Sequence, residues 1–161
     1  MNVFCIGLHK TGTVSLEAAL QKLGFRTRHG WVKHSDMIEK AMHDGKKPLE
    51  YLNMDIGFND PGFDHAYLDL YAVRDHFVWM DRHYPGSKFI LTVRDLEEWV
   101  ESVKKQIKKR PDSPFFHHYY FQDELQWVTF HNMHVKTVLR YFDIHEKRDQ
   151  LLIMDISNGD G

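Results

Sequence analysis

Apolar residues along this chain fall into two alternating arrangements: short continuous runs, and longer stretches in which they recur every three or four positions. Phe4, Cys5 and Ile6 make the first run, closed by Gly7. After a polar turn, Leu16, Ala19, Leu20 and Leu23 repeat at helical spacing over residues 15–23, and Gly24 stands where a left-handed residue would end that helix. A second strand is expected at residues 25–28. Strand, glycine-containing loop, helix and strand in this order are the βαβ opening of a parallel α/β fold.

The remaining elements follow the same alternation. Ser35 is placed to cap a helix through Met37, Ile38, Ala41 and Met42 to Gly45, which Lys46, Lys47 and Pro48 interrupt. Residues 53–64 are dominated by Asp, Gly, Asn and Pro and read as a loop, opened by a short strand at Asn53, Met54 and Asp55. Residues 66–84 read as a helix presenting Leu68, Tyr71, Ala72, Phe77 and Met80 and stopped by Pro85 and Gly86. The run from Lys88 to Val93 is the cleanest strand, apolar on both sides and so expected to be covered on both faces. Asp95 is placed to cap the next helix, in which Leu96, Trp99, Val100, Val103 and Ile107 repeat until Arg110 and Pro111. A turn with prolines at 111 and 114 leads to a long helix over residues 121–147, through Leu125, Val128, Val135, Leu139 and Phe142, and then to a last buried strand at Leu151, Leu152, Ile153 and Met154. The fold expected is a three-layer α/β/α arrangement around a central parallel sheet.

Composition narrows the function classes. With 161 residues, 42% apolar and 14% aromatic, the chain has the material for one core and one domain over residues 1–161. Its 21 Lys and Arg against 23 Asp and Glu give no general attraction to nucleic acid or to an anionic membrane, so any anion site must be local. A single cysteine, Cys5, excludes an intrachain disulfide and suits a reducing cytosol. No apolar stretch approaches membrane-spanning length, and the opening residues lack the charged front of a signal peptide.

The loop between the first strand and the first helix carries the clearest chemistry. It reads Gly7-Leu8-His9-Lys10-Thr11-Gly12-Thr13-Val14-Ser15. Backbone amides in such a loop and the helix N-terminus behind it together make a concave positive seat for phosphate. The nucleotide-hydrolase pattern GxxxxGK[ST] has its two glycines here, but Thr13 and Val14 replace its Lys and Ser/Thr, and Lys10 stands two positions before the second glycine. That arrangement disfavours a magnesium-dependent ATPase, GTPase or nucleotide kinase.

The loop resembles the 5′-phosphosulfate loop of the sulfotransferase superfamily, roughly Pro-Lys-x-Gly-Thr-Thr/Ser followed by a helix, matching at Lys10, Gly12 and Thr13. His9 replaces the usual proline, and Val14 replaces a common second hydroxyl that Ser15 is placed to supply. The family's other signature is an arginine ending a later strand with a serine eight positions on in the next helix, which together hold a 3′-phosphate; Arg94 and Ser102 have that spacing. The strand entry from Tyr84 to Asp95 is also similar. The resemblance implies a P-loop nucleotide-binding-like fold and transfer of a sulfuryl group from PAPS (3′-phosphoadenosine 5′-phosphosulfate) to a hydroxyl or amine, leaving PAP, with no metal. Family members usually continue past the last strand with a segment that helps enclose the nucleotide; this chain stops at Gly161 and is expected to be a fragment or a minimal version.

In that chemistry Lys10 is expected to offset charge growing on the bridging oxygen, while Thr11, Gly12, Thr13, Val14 and Ser15 seat the 5′-phosphate. The base that receives the acceptor's proton stays open between Asp55 and His9. The acceptor, a small molecule or a saccharide, and the oligomeric state are not readable. The alternative reading is a PAPS- or PAP-binding module without turnover, which Val14, the short C-terminus and the unassigned base favour. His131 and His134 share a helix face but lack a third metal ligand and read as helix-surface residues; His117 and His118 would point apart. Lys104, Lys105, Lys108, Lys109 and Arg110 read as a solvated helix end, or as an attraction for an acidic acceptor.

Overall fold

The computed structural model describes residues 1–30, 32–58, 62–111 and 123–159. In chain order its elements are β1 (Asn2–Cys5), α1 (Thr13–Lys22), β2 (Arg26–His29), α2 (Val32–His43), α3 (Glu50–Ile56), β3 (His65–Leu68), α4 (Tyr71–Asp75), α5 (Phe77–His83), β4 (Lys88–Val93), α6 (Leu96–Lys109), α7 (Glu124–Ile144) and β5 (Leu151–Asp155), with short 3-10 turns at Arg148–Gln150 and Ile156–Asn158. Among the described residues five strands form one sheet in the order β2-β3-β1-β4-β5. Every neighbouring pair is parallel, so the expected α/β sheet with flanking helices is what the chain forms.

Alternation along the strands divides the core. From β1, Val3 and Cys5 join Ala66, Leu68 and Ile90 under Leu16 and Leu20 of α1. Phe4 and, just beyond β1, Ile6 face the other way with Tyr67, Phe89 and Leu91, against Ile38, Leu52, Met80 and Phe142 of the opposite helical layer. Cys5 is a buried free thiol, and its burial holds the thiol firmly protonated.

Strand order fixes where a ligand can sit. The chain leaves β1 toward β2 on one side and leaves the adjacent β4 toward β5 on the other, so the two connections diverge beyond the carboxyl ends of β1 and β4. A crevice at that divergence is the usual ligand position in open parallel sheets.

Several elements depart from the sequence reading. Residues 66–84 are not one helix: His65–Leu68 is a fully buried inner strand, and helices α4 and α5 follow. A short apolar run reads alike as buried strand or helix, and here Asp69 with φ 51 breaks the chain between the two. Asn53, Met54 and Asp55 lie within helix α3, which Gly57 ends at φ 68, rather than in a strand. Ser35 does not cap α2, which begins at Val32; its buried hydroxyl accepts from the Ala72 amide at 3.4 Å. The last strand is an edge, with Leu152 54% and Ile153 40% exposed, and not the buried strand expected. Gly24 does follow α1 at φ 92, and Asp95 does cap α6, accepting from the Glu98 amide at 3.0 Å. Pro114, Phe121, His117 and His118 lie outside the described residues.

Candidate active site at the phosphate loop

The loop leaves β1 against β4, and Gly7 makes that approach possible. A Cβ at Gly7 would lie 2.0 Å from Thr92 Oγ1 and 2.6 Å from the Thr92 carbonyl oxygen. The Thr11 hydroxyl, itself buried, bonds the Leu8 carbonyl and meets Thr92 Oγ1 at 2.6 Å, pinning the middle of the loop to the strand beside it. Lys10 takes φ 66 and Gly12 φ 82, two left-handed turns that curl the backbone into the start of α1. A lysine held there is backbone strain of the kind that collects at functional sites.

Gly12 is the N-cap of α1 and offers no side chain to close it, and no acidic residue stands in the first turn. The first amides of the helix therefore keep their donors for an external acceptor, at the positive end of the helix dipole. Val14 is 69% exposed, and its backbone amide is the one polar donor it has at the start of α1. After β5, Ile156 closes on Gly12, its Cγ2 lying 3.1 Å from where a Cβ would be.

Arg94, at the end of β4, reaches this loop. Its Nη1 donates to the Lys10 carbonyl at 3.4 Å and its Nε to Glu98 Oε2 at 3.1 Å. Glu98 also accepts from Ser157 Oγ at 3.1 Å, and Ser157 Oγ in turn accepts from the Asp95 amide at 3.0 Å. Trp99 Nε1 donates to the His9 carbonyl at 2.9 Å, so the first turns of α6 hold the loop from outside. Lys10, Thr11, Gly12, Thr13, Val14, Ser15 and Arg94 thus come together. Ser102 is half-buried on α6, and among the described residues no hydrogen bond joins its hydroxyl to Arg94 or the loop.

The two residues considered as bases part company. His9 is 4% exposed, and burial lowers its pKa to about 3, leaving a neutral and weakly basic ring. Asp55 sits on α3 with Lys33 Nζ 3.3 Å away. His131 and His134 are not helix-surface residues: His131 packs on Trp99 with ring centroids 5.0 Å apart, and His134 Nε2 donates to the Ile6 carbonyl at 2.6 Å, its pKa lowered to about 4 by burial. Among the described residues no three His, Cys, Asp or Glu side chains group as metal ligands. Lys104 is paired to Glu124 at 2.7 Å and Glu101 at 3.1 Å, while Lys105, Lys108, Lys109 and Arg110 are exposed.

A polar cluster beside the loop had no signal in the sequence, because its members come from separate elements. His29, ending β2, places Nδ1 2.8 Å from Glu17 Oε2 and Nε2 3.2 Å from Thr13 Oγ1. Asp69, just past β3, has Oδ2 3.6 Å from the same Nε2.

A profile of the family described as a sulfotransferase domain matches residues 2–158, taking in the loop, Arg94 and every strand. The chain belongs to the sulfotransferase family. No curated protein matches it. Family membership makes this chain a transferase whose chemistry is sulfuryl transfer. Among the described residues of this sulfotransferase no helix is long and apolar enough to cross a membrane.

Proposed function

We propose that the chain transfers the sulfuryl group of PAPS to a hydroxyl or amine of a small-molecule or saccharide acceptor, as a single domain in the reducing cytosol. The observation that carries this reading is the convergence of two anion-binding devices on one loop: the open N-terminus of α1 and the Arg94 guanidinium bonded to the Lys10 carbonyl. The α1 amides with Thr13 and Ser15 seat the 5′-phosphate, and Arg94 with Ser102 takes the 3′-phosphate, where a guanidinium grips two oxygens at once. PAPS supplies the sulfuryl group and leaves as PAP, keeping the electron pair of the broken S–O bond. Lys10 offsets the charge that grows on that leaving oxygen, and the chemistry requires no metal.

The acceptor oxygen or nitrogen forms the new bond to sulfur and gives up a proton. Asp69 suits that proton better than His9 or Asp55, since it follows β3 at the same carboxyl edge of the parallel sheet as the loop, with its carboxylate 3.6 Å from the His29 ring. The test is calorimetric titration with PAP beside ADP and ATP, with and without magnesium, followed by assay of transfer to acceptor mixtures. Tight metal-independent PAP binding with transfer supports the reading. Binding without product selects a PAPS/PAP-binding module, and preference for magnesium-ATP overturns both.

A further inference from the structure

Three polar side chains face the His29 ring: Glu17, Thr13 and Asp69. Glu17 Oε1 accepts from Thr27 Oγ1 at 2.9 Å, and Thr27 Oγ1 accepts from Gln21 Nε2 at 2.8 Å, so Glu17 is fixed in orientation as an acceptor. Its other oxygen, 2.8 Å from Nδ1, therefore holds a proton on that nitrogen. A neutral His29 then has a bare Nε2, 3.2 Å from the Thr13 hydroxyl, and Thr13 can satisfy it only by donating its own proton inward. A protonated His29 reverses the bond: Nε2 donates, with Thr13 Oγ1 at 3.2 Å the nearer acceptor and Asp69 Oδ2 at 3.6 Å the farther, and the single Thr13 proton is left for whatever lies at the start of α1.

We propose that His29 is a positioning residue for the donor nucleotide, its protonation turning the Thr13 hydroxyl from an inward donor into a donor to the 5′-phosphate. This rests on the reading that the 5′-phosphate sits at the N-terminus of α1. The charged groups around the ring favour the protonated form. Asp69 from the end of β3 raises its pKa above the ordinary imidazole value, and Glu17 from α1 adds to the rise, while partial burial opposes both. On the loop side, His9 is held neutral by burial, and Lys10 and Arg74 act on His9. On α2, His34 bonds the Gly30 carbonyl at 3.4 Å, and burial lowers its pKa. The device makes the grip on the 5′-phosphate strongest on the acid side of the His29 titration and weaker as pH rises through it, because above that pH the Thr13 proton turns inward.

The test is calorimetric titration of the whole chain with PAP at a series of pH values running upward from the ordinary imidazole range, the direction in which His29 is shifted. Wild type, His29→Gln and Thr13→Val are compared at each pH, so that titration of the ligand's own phosphates cancels. Gln donates to Thr13 at every pH, so the ratio of wild-type to His29→Gln affinity should fall on the order of tenfold across the range, one charge-assisted hydrogen bond. Thr13→Val, which lacks the hydroxyl, should bind more weakly at low pH and converge on wild type at high pH; that arm stands if His29→Gln fails to fold. Affinities of the three proteins that move in parallel with pH overturn the proposal while leaving the donor site intact. Absence of PAP binding by wild type at any pH overturns the underlying reading, and this one with it.

Discussion

The Arg94 guanidinium bonds the main-chain carbonyl of Lys10 at 3.4 Å, across 84 positions of sequence. One strand end thereby supports the turn that carries the residue assigned to the leaving oxygen, and the cation that would discriminate a 3′-phosphate is tied to the loop that would seat a 5′-phosphate. Arg94→Ala should therefore reduce the preference for PAP over ADP by tenfold or more, as expected for loss of a charge-assisted contact worth roughly 1.5–3 kcal/mol. Calorimetry with the two nucleotides checks this; an unchanged ratio removes Arg94 from the 3′-phosphate site.

Lys10 separates binding from chemistry. Lys10→Ala should lower kcat by about 10²–10³-fold, the usual effect of deleting one group that stabilises developing charge, while PAP affinity falls much less. Comparable losses in both would make Lys10 a simple phosphate ligand.

Asp69→Asn should lower kcat by about 10²-fold or more, in the range for a deleted general base, and, because Asp69 also favours the protonated His29, should lower PAP affinity by no more than about tenfold. Asp55→Asn, on the exposed α3 pair with Lys33, should leave turnover close to wild type. Turnover that survives in Asp69→Asn assigns the proton elsewhere.

Gly7→Ala is expected to be the most damaging small change in the site. Its methyl would meet the Thr92 carbonyl at 2.6 Å as well as Oγ1 at 2.0 Å, so trimming the hydroxyl with Thr92→Ala should not rescue it. Overpacking of this kind costs about 1–3 kcal/mol or more, read as a lowered Tm together with lost PAP binding. A double variant restored to wild-type Tm would mean that the hydroxyl alone sets the clearance.

His134 contributes an acid-side loss of stability. Its folded pKa is lowered from 6.5 to about 4 by burial, so the unfolded chain binds the proton first. The contribution is complete above about pH 6.5 and is lost as pH falls toward about pH 4, on the order of 3 kcal/mol if the whole shift is realised. His134→Gln, which can still donate to the Ile6 carbonyl, should show a shallower fall in denaturation free energy over that window. Parallel curves would show that His134 is not the group responsible.

Much of the fold was legible because its elements carry their own periodicity. Residues 88–93 and the helix capped by Asp95 announce themselves through local apolar spacing and one side-chain cap. The inner strand His65–Leu68 did not, because a residue buried on all sides loses the alternation that marks a strand, and its apolar run merged with the helices after it. Asn53 to Asp55 misled for the opposite reason: turn-forming residues were held helical by the packing of Leu52 in the core.

The sequence by itself determined the glycine-containing loop between β1 and α1, since the spacing of Gly7, Lys10, Gly12 and Thr13 is a property of consecutive residues and backbone sterics act on neighbours. It also determined the arginine that follows β4. What only the tertiary structure decided is the company those residues keep: Ile156 against Gly12, Thr92 against Gly7, and His29 between Thr13, Glu17 and Asp69. Those contacts depend on strand order, and the order β2-β3-β1-β4-β5 arises from how three layers share one core, which no local pattern encodes.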